Sequence, residues 1–223
     1  MFLQRLLKLL CLLILGLTVT SAVQADPIKL YTTGVDNNGN LLAAGASDTH
    51  YKYVTGSTLN NVFVTSPNPK DWTPNTASSQ WISIQPIGTA AQPIGNYTFR
   101  TTFDLTGLNA STAMISGTLS VDDDVEIFLN GQSTGVKVTK GYFSLSAFAL
   151  PVGVNFISGA NTIDFFVFNI GPAPMGLHVA SIAGTADRIG ANVPEPATLL
   201  LLGTGLAGIA AKIRRRRKKE TEA

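Results

Sequence analysis

Several groups of residues in this sequence carry side chains that could do chemistry. Asp122, Asp123 and Asp124 stand in a row and offer hard carboxylate oxygens, the ligands that Ca²⁺ prefers. They lack the alternating acids, the glycine and the distant glutamate of a helix–loop–helix calcium site. A calcium loop and a solvated turn capping two strands are therefore both open. Trp72 and Trp81, with Tyr51, Tyr53 and Tyr97, supply flat rings of the kind that stack on the apolar face of a sugar. Asn130 is a candidate amide partner for sugar hydroxyls. The alternative for these rings is core packing. Tyr97 is expected in the core, whereas Trp72 lies in the polar, proline-bounded stretch 68–74 and is the ring expected to be exposed.

Catalytic signatures are missing from the sequence. The two histidines, His50 and His178, are far apart, and metal and triad sites need clustered partners. Neither a Gly-x-Ser-x-Gly elbow, a His-Glu-x-x-His pair nor a phosphate loop occurs. Asp104 or Asp164 with Glu126 could be imagined as a glycosidase pair, but spacing alone does not make them face each other. The one cysteine, Cys11, falls in the N-terminal apolar run. The expectation is a non-catalytic protein with no catalytic residues and no cofactor, calcium at Asp122–Asp124 excepted.

Charge is unevenly placed. Of sixteen basic residues, nine lie at the two ends, leaving seven against eleven acids between Asp26 and Asn192, a net charge of −4 there. A mildly acidic middle lacks the footprint of a nucleic-acid binder. The middle is long enough to bury one core without disulfides.

The elements that must position these residues read as strands. Tyr97, Phe99, Thr101, Phe103 and Leu105 fall on one face, and Thr98, Arg100, Thr102 and Asp104 on the other. Further strands are expected at Lys29–Thr32, His50–Val54, Asn61–Val64, Trp81–Ile84, Ala113–Val121, Val125–Leu129, Tyr142–Phe148, Thr162–Asn169 and Leu177–Ala183. Turn residues separate them, and Asn130-Gly131 after an apolar alternation is a strong hairpin cue. The expected fold is all-β: an antiparallel β-sandwich of jelly-roll type, spanning 26–192.

The ends differ in kind. Arg5 and Lys8 precede the apolar run Leu9–Val19, and Val23-Gln24-Ala25 offers a cleavage site, so residues 1–25 read as a signal peptide removed by signal peptidase. At the other end Val193-Pro194-Glu195-Pro196 precedes an apolar run, Ala197–Ala211. A basic cluster follows: Lys212, Arg214, Arg215, Arg216, Arg217, Lys218 and Lys219. The prolines hold Pro194-Glu195-Pro196 extended, as a processing enzyme requires. The apolar run is short for a bilayer unless Ile213 joins it and basic side chains snorkel. The basic cluster would stop translocation and remain inside with the cytoplasmic end, 220–223.

Those three parts in order, over 193–219, resemble the PEP-CTERM sorting signal. The resemblance implies a Gram-negative bacterium that makes extracellular polysaccharide. It also implies a membrane-anchored precursor and exosortase as the processing enzyme, acting at or near Pro194, Glu195 and Pro196. The product would reside at the cell surface or in the extracellular matrix. The stretch Ser120–Gly131, echoed by Ile157–Phe165, resembles the galactose-binding-like jelly roll of carbohydrate-binding modules. That likeness implies a fold, with exopolysaccharide as a possible ligand. An adhesive or structural role through protein contacts and, third, a glycan-active enzyme are the other readings.

Overall fold

The computed structural model of the chain describes residues 25–189, 202–210 and 212–214. The strands are β1 Ala25–Pro27, β2 Ser47–Thr55, β3 Thr58–Val64, β4 Ile82–Ser83, β5 Gly95–Asp104 and β6 Met114–Asp122. They continue with β7 Asp124–Leu129, β8 Gln132–Val138, β9 Ser146–Ala149, β10 Ala160–Asn169 and β11 Gly176–Asp187. Every pairing is antiparallel, in the order β8-β7-β10-β5-β2-β3-β4-β11-β6-β9, with β1 added on β11. The protein is all-β over this region, as the alternation predicts.

The alternation decides which side chains are inside. On β5, Tyr97, Phe99, Thr101 and Phe103 are buried, and the following Leu105 is fully so. On β10, Ile163, Phe165 and Val167 point the same way, and on β7, Val125, Ile127 and Leu129 do. β6 and β9 pack across from this half of the sheet, with the Phe148 ring 6.2 Å from that of Phe165. One core cluster joins both halves. Burying this many aliphatic and aromatic side chains is the main driving force for folding.

The hairpin β7–β8 turns at Asn130 (φ 51°) and Gly131 (φ 77°). Two successive positive φ values match the twist of the flanking strands, and Asn-Gly tolerates them best. β8 is absent from the sequence expectation because it is a polar edge, mostly exposed. The expected strand Lys29–Thr32 does not form. The N-terminal strand is β1, and the segment after it runs beside β11 through Ile28 N–H to Gly184 O and Thr33 N–H to Val179 O. Tyr142–Phe148 shortens to β9, because Gly141–Phe143 forms a 3₁₀ turn first.

Residues 1–24 of the expected signal peptide 1–25 lie outside the described residues, as do Pro194, Glu195 and Pro196; its last residue, Ala25, opens β1. Of the basic cluster, Lys212 and Arg214 are exposed on the helical residues 212–214; Arg215, Arg216, Arg217, Lys218 and Lys219 lie outside. Residues 202–210 are helical. Among the described residues no helix is long and apolar enough to cross a membrane.

Candidate functional site

The expected sugar platform is buried. Trp72 is 5% exposed and Trp81 not at all, the rings stacked with centroids 4.0 Å apart. Trp72 Nε1 donates to Asp122 Oδ2 at 2.7 Å, and Trp81 Nε1 to the Thr73 carbonyl at 2.8 Å. Gly176 makes room for this pair, since a Cβ there would lie 2.7 Å from the Trp72 ring. The polar neighbours of Trp72 suggest exposure, but packing against β11 and a long-range carboxylate partner put it inside. Neither indole offers a free face.

Asn130 is likewise committed to structure. Its Nδ2 donates to Asn155 O and to Asn161 Oδ1, both at 2.8 Å, and its Oδ1 accepts Thr162 N–H at 2.8 Å. Asn161 in turn holds the Ile157 N–H and the carbonyls of Ile157 and Gly159. The two echoing sequence segments thus meet in one amide node. That node locks the β7–β8 turn to the start of β10.

The three aspartates bridge the two halves of the sheet. Asp123 links the end of β6 to the start of β7, strands that do not pair. Each carboxylate has its own partner: Asp122 the Trp72 indole, Asp123 Oδ2 the Ile170 N–H, Asp124 Oδ1 the Lys140 N–H, the last two at 2.8 Å. Burial, and then the adjacent Asp123, push the Asp122 carboxyl up to about 7, against the lowering effect of the Trp72 bond. Among the described residues no group of three His, Cys, Asp or Glu is arranged to hold a metal ion.

His178 and Ser79 meet in the interior, Nε2 to Oγ at 2.8 Å, both fully buried. His178 Nδ1 has no partner, so no carboxylate orients the ring as a triad needs. Burial lowers its pKa to about 4, keeping it neutral. Asp104, Asp164 and Glu126 do not form a facing pair. Asp104 caps its own turn through Thr106. Asp164 is held by Arg100, and Glu126 by Ser133 and Lys137.

The surface with the most binding chemistry is the outer face of β8-β7-β10-β5-β2. Phe128, Phe166 and Phe168 lie half-buried there, ring centroids 5.9 and 5.0 Å apart along the row. In register beside them run Ser133, Phe128, Asp164, Arg100 and Lys52, one from each strand. Arg100 grips Asp164 with two bonds, 2.6 and 2.7 Å. The row begins two residues before Asn130. The sequence holds a signal for it: between Ile163 and Phe168 both parities are apolar or aromatic except at Asp164, so the solvent face of β10 is also aromatic.

Residues 192–217 match the PEP-CTERM protein-sorting motif. The chain carries an exosortase sorting tail. The motif covers the end of the sequence alone and indicates export and sorting to the cell envelope through exosortase. No curated protein matches the chain. Among solved structures, a Bacteroides fragilis protein assigned as a β-galactosidase is 14% identical with a TM-score of 0.38, over 64% of this chain and 23% of that one. This chain therefore spans about a quarter of that protein. The Stig cyclase Fisc from Fischerella sp. TAU is 12% identical with a TM-score of 0.40, over 74% of this chain and 99% of that one. The GH31 α-xylosidase of Xanthomonas citri is 10% identical with a TM-score of 0.22, over 74% and 17%. Likenesses this distant carry no argument about activity.

Proposed function

We propose that this chain is a non-catalytic exported protein, delivered by its PEP-CTERM tail to the surface or matrix of a Gram-negative bacterium, where a jelly-roll sandwich contacts extracellular polysaccharide. The match at 192–217 carries this reading. In it, residues 1–25 are removed by signal peptidase, and residues 197–211 anchor the precursor in the inner membrane. The cluster 212–219 stays inside, and exosortase acts at Pro194-Glu195-Pro196. The mild negative charge of the middle agrees with a binding or scaffolding role.

The glycan part of the reading rests on the row Phe128, Phe166 and Phe168, flanked by Arg100–Asp164, Lys137–Glu126 and Lys52–Asn61. Apolar rings beside fixed polar groups suit sugar rings, which are apolar on their faces and polar at their edges. An adhesive role through protein contacts is favoured instead by the exposed Ile94, Ile170 and Phe143.

Two measurements test this. In producing cells, Glu195→Ala should leave the tail attached, seen as a heavier membrane-bound form; normal tail removal would reject the sorting reading. Purified protein should bind the producer's own exopolysaccharide, weakened roughly tenfold by Phe166→Ala and unchanged by chelator. Absence of binding would transfer the proposal to the adhesive role. Loss of binding with chelator would restore Asp122, Asp123 and Asp124 as a calcium site.

A further inference from the structure

Both chain ends leave the sandwich at the same end. Ala25 pairs with Asp187 and Pro27 with Thr185, while Arg188 holds Asp26 Oδ2 at 2.6 and 2.9 Å. Ile189 N–H bonds Gly107 O, fixing the last residues on the turn after β5. Thr185 also pairs with Met114, and Ser116 with Ala149, so the start of β6 and the end of β9 lie at that end too.

An apolar surface sits there. A groove of ≈ 360 Å³ is lined mainly by Met114, Leu150, Val152 and Ala183. The adjoining loop adds Val154 and Ile157; Met114, Val152, Val154 and Ile157 are each roughly half exposed. Neither 110–119 nor 149–160 contains a charged residue. A lone exposed aliphatic means little, but a charge-free cluster around a groove marks a contact surface.

The chain length says what covers it. Eight residue steps separate Ile189 from Ala197, where the apolar tail run begins, a reach of at most about 28 Å. Two further exposed aliphatics, Ile94 and Ile170, lie beyond the far end of β10, about 33 Å farther off.

We infer that this apolar end is a membrane-contact surface, on which Met114, Val152, Val154 and Ile157 dip into the lipid headgroup boundary while the precursor is tethered. The inference rests on the reading of the tail as a membrane anchor. Because the surface is uncharged, its lipid contact needs no anionic headgroups and withstands salt, unlike a basic patch.

The test uses the full chain with Cys11→Ser and a single labelled cysteine, Val154→Cys or, at the far end, Ile94→Cys, in phosphatidylcholine vesicles. An environment-sensitive fluorophore at Val154→Cys should shift to the blue. Doxyl-labelled lipid should quench it roughly fivefold more than the Ile94→Cys probe, since loop tips that enter the boundary reach the acyl chains. Val152→Asp in the Val154→Cys chain should abolish the difference. Equal quenching at both positions overturns the inference. So does a blue shift without quenching, which would mean that a second copy covers the surface. A chain that floats with the vesicles but leaves Val154→Cys in water rejects this inference alone. A chain that does not float rejects the anchoring reading with it.

Discussion

The indole N–H of Trp72 donates to Oδ2 of Asp122 at 2.7 Å, joining the loop before β4 to the end of β6. This bond makes a titratable group part of the core. The Asp122 carboxyl, raised by burial to about 7 in the folded state, returns to about 3.8 when unfolded. Between those values the folded state binds the extra proton, so stability is full below the unfolded value and falls as pH rises through 7. The urea midpoint should therefore drop between pH 6.5 and pH 8. Asp122→Asn, which keeps an acceptor for the indole and carries no charge, should flatten that drop. An unchanged slope in the variant would assign the titration elsewhere.

His178 titrates with the opposite sign. Its pKa is lowered by burial to about 4 from the ordinary 6.5. The unfolded state then binds the extra proton between those values, so stability is full above 6.5 and is lost as pH falls through 4. Between pH 6.5 and 4 the Asp122 contribution largely offsets this loss, so thermal melts should show the falling midpoint clearly only in Asp122→Asn, where the compensating carboxyl is gone. Adding His178→Phe should remove the fall, because Ser79 Oγ keeps its 2.6 Å contact with Thr76. Were the slope to persist in His178→Phe, the imidazole would not be its source.

Asn161 satisfies four partners at once, and no other residue type offers the same donors and acceptor at that length. Asn161→Ala should cost on the order of 2 kcal/mol, since it leaves part-buried carbonyls of the Ile157–Gly159 turn and the Ile157 N–H without a partner. Denaturation should show a lower midpoint with an unchanged slope. A loss below about 0.5 kcal/mol would mean that water replaces the side chain.

Arg100 and Asp164 face each other across β5 and β10 with two parallel bonds, and the aspartate is nearly covered. Removing the guanidinium in Arg100→Ala should cost about 2 kcal/mol, because the carboxylate is left under-solvated. Arg100→Lys should recover only part, as a single ammonium cannot make both bonds. A double-mutant cycle with Asp164→Ala measures the coupling; a value near zero would reduce the pair to ordinary surface charge.

The parts legible in the sequence are those governed by near neighbours. Inside–outside alternation on β5 needs only the pleat, and the β7–β8 turn needs only that Asn130 and Gly131 accept positive φ. The sorting tail is a linear signal, written in adjacent residues, and the match at 192–217 agrees with it. β8 escaped because an exposed edge strand does not have to be apolar, and β1 because three residues are too few to show a period.

What tertiary structure alone decided are the long-range partnerships. Trp72 looks exposed beside Lys70 and Asp71, yet it is buried because Asp122 and Trp81 converge on it from elsewhere in the chain. Asp122, Asp123 and Asp124 look like one ligand set, yet the step from one half of the sheet to the other gives each its own partner. Asn130 finds Asn161, and Ala25 finds Asp187, only through strand register. Composition and period set which face of a strand is apolar. Which strand lies beside it, and so which side chains become neighbours, is settled by packing the whole core at once.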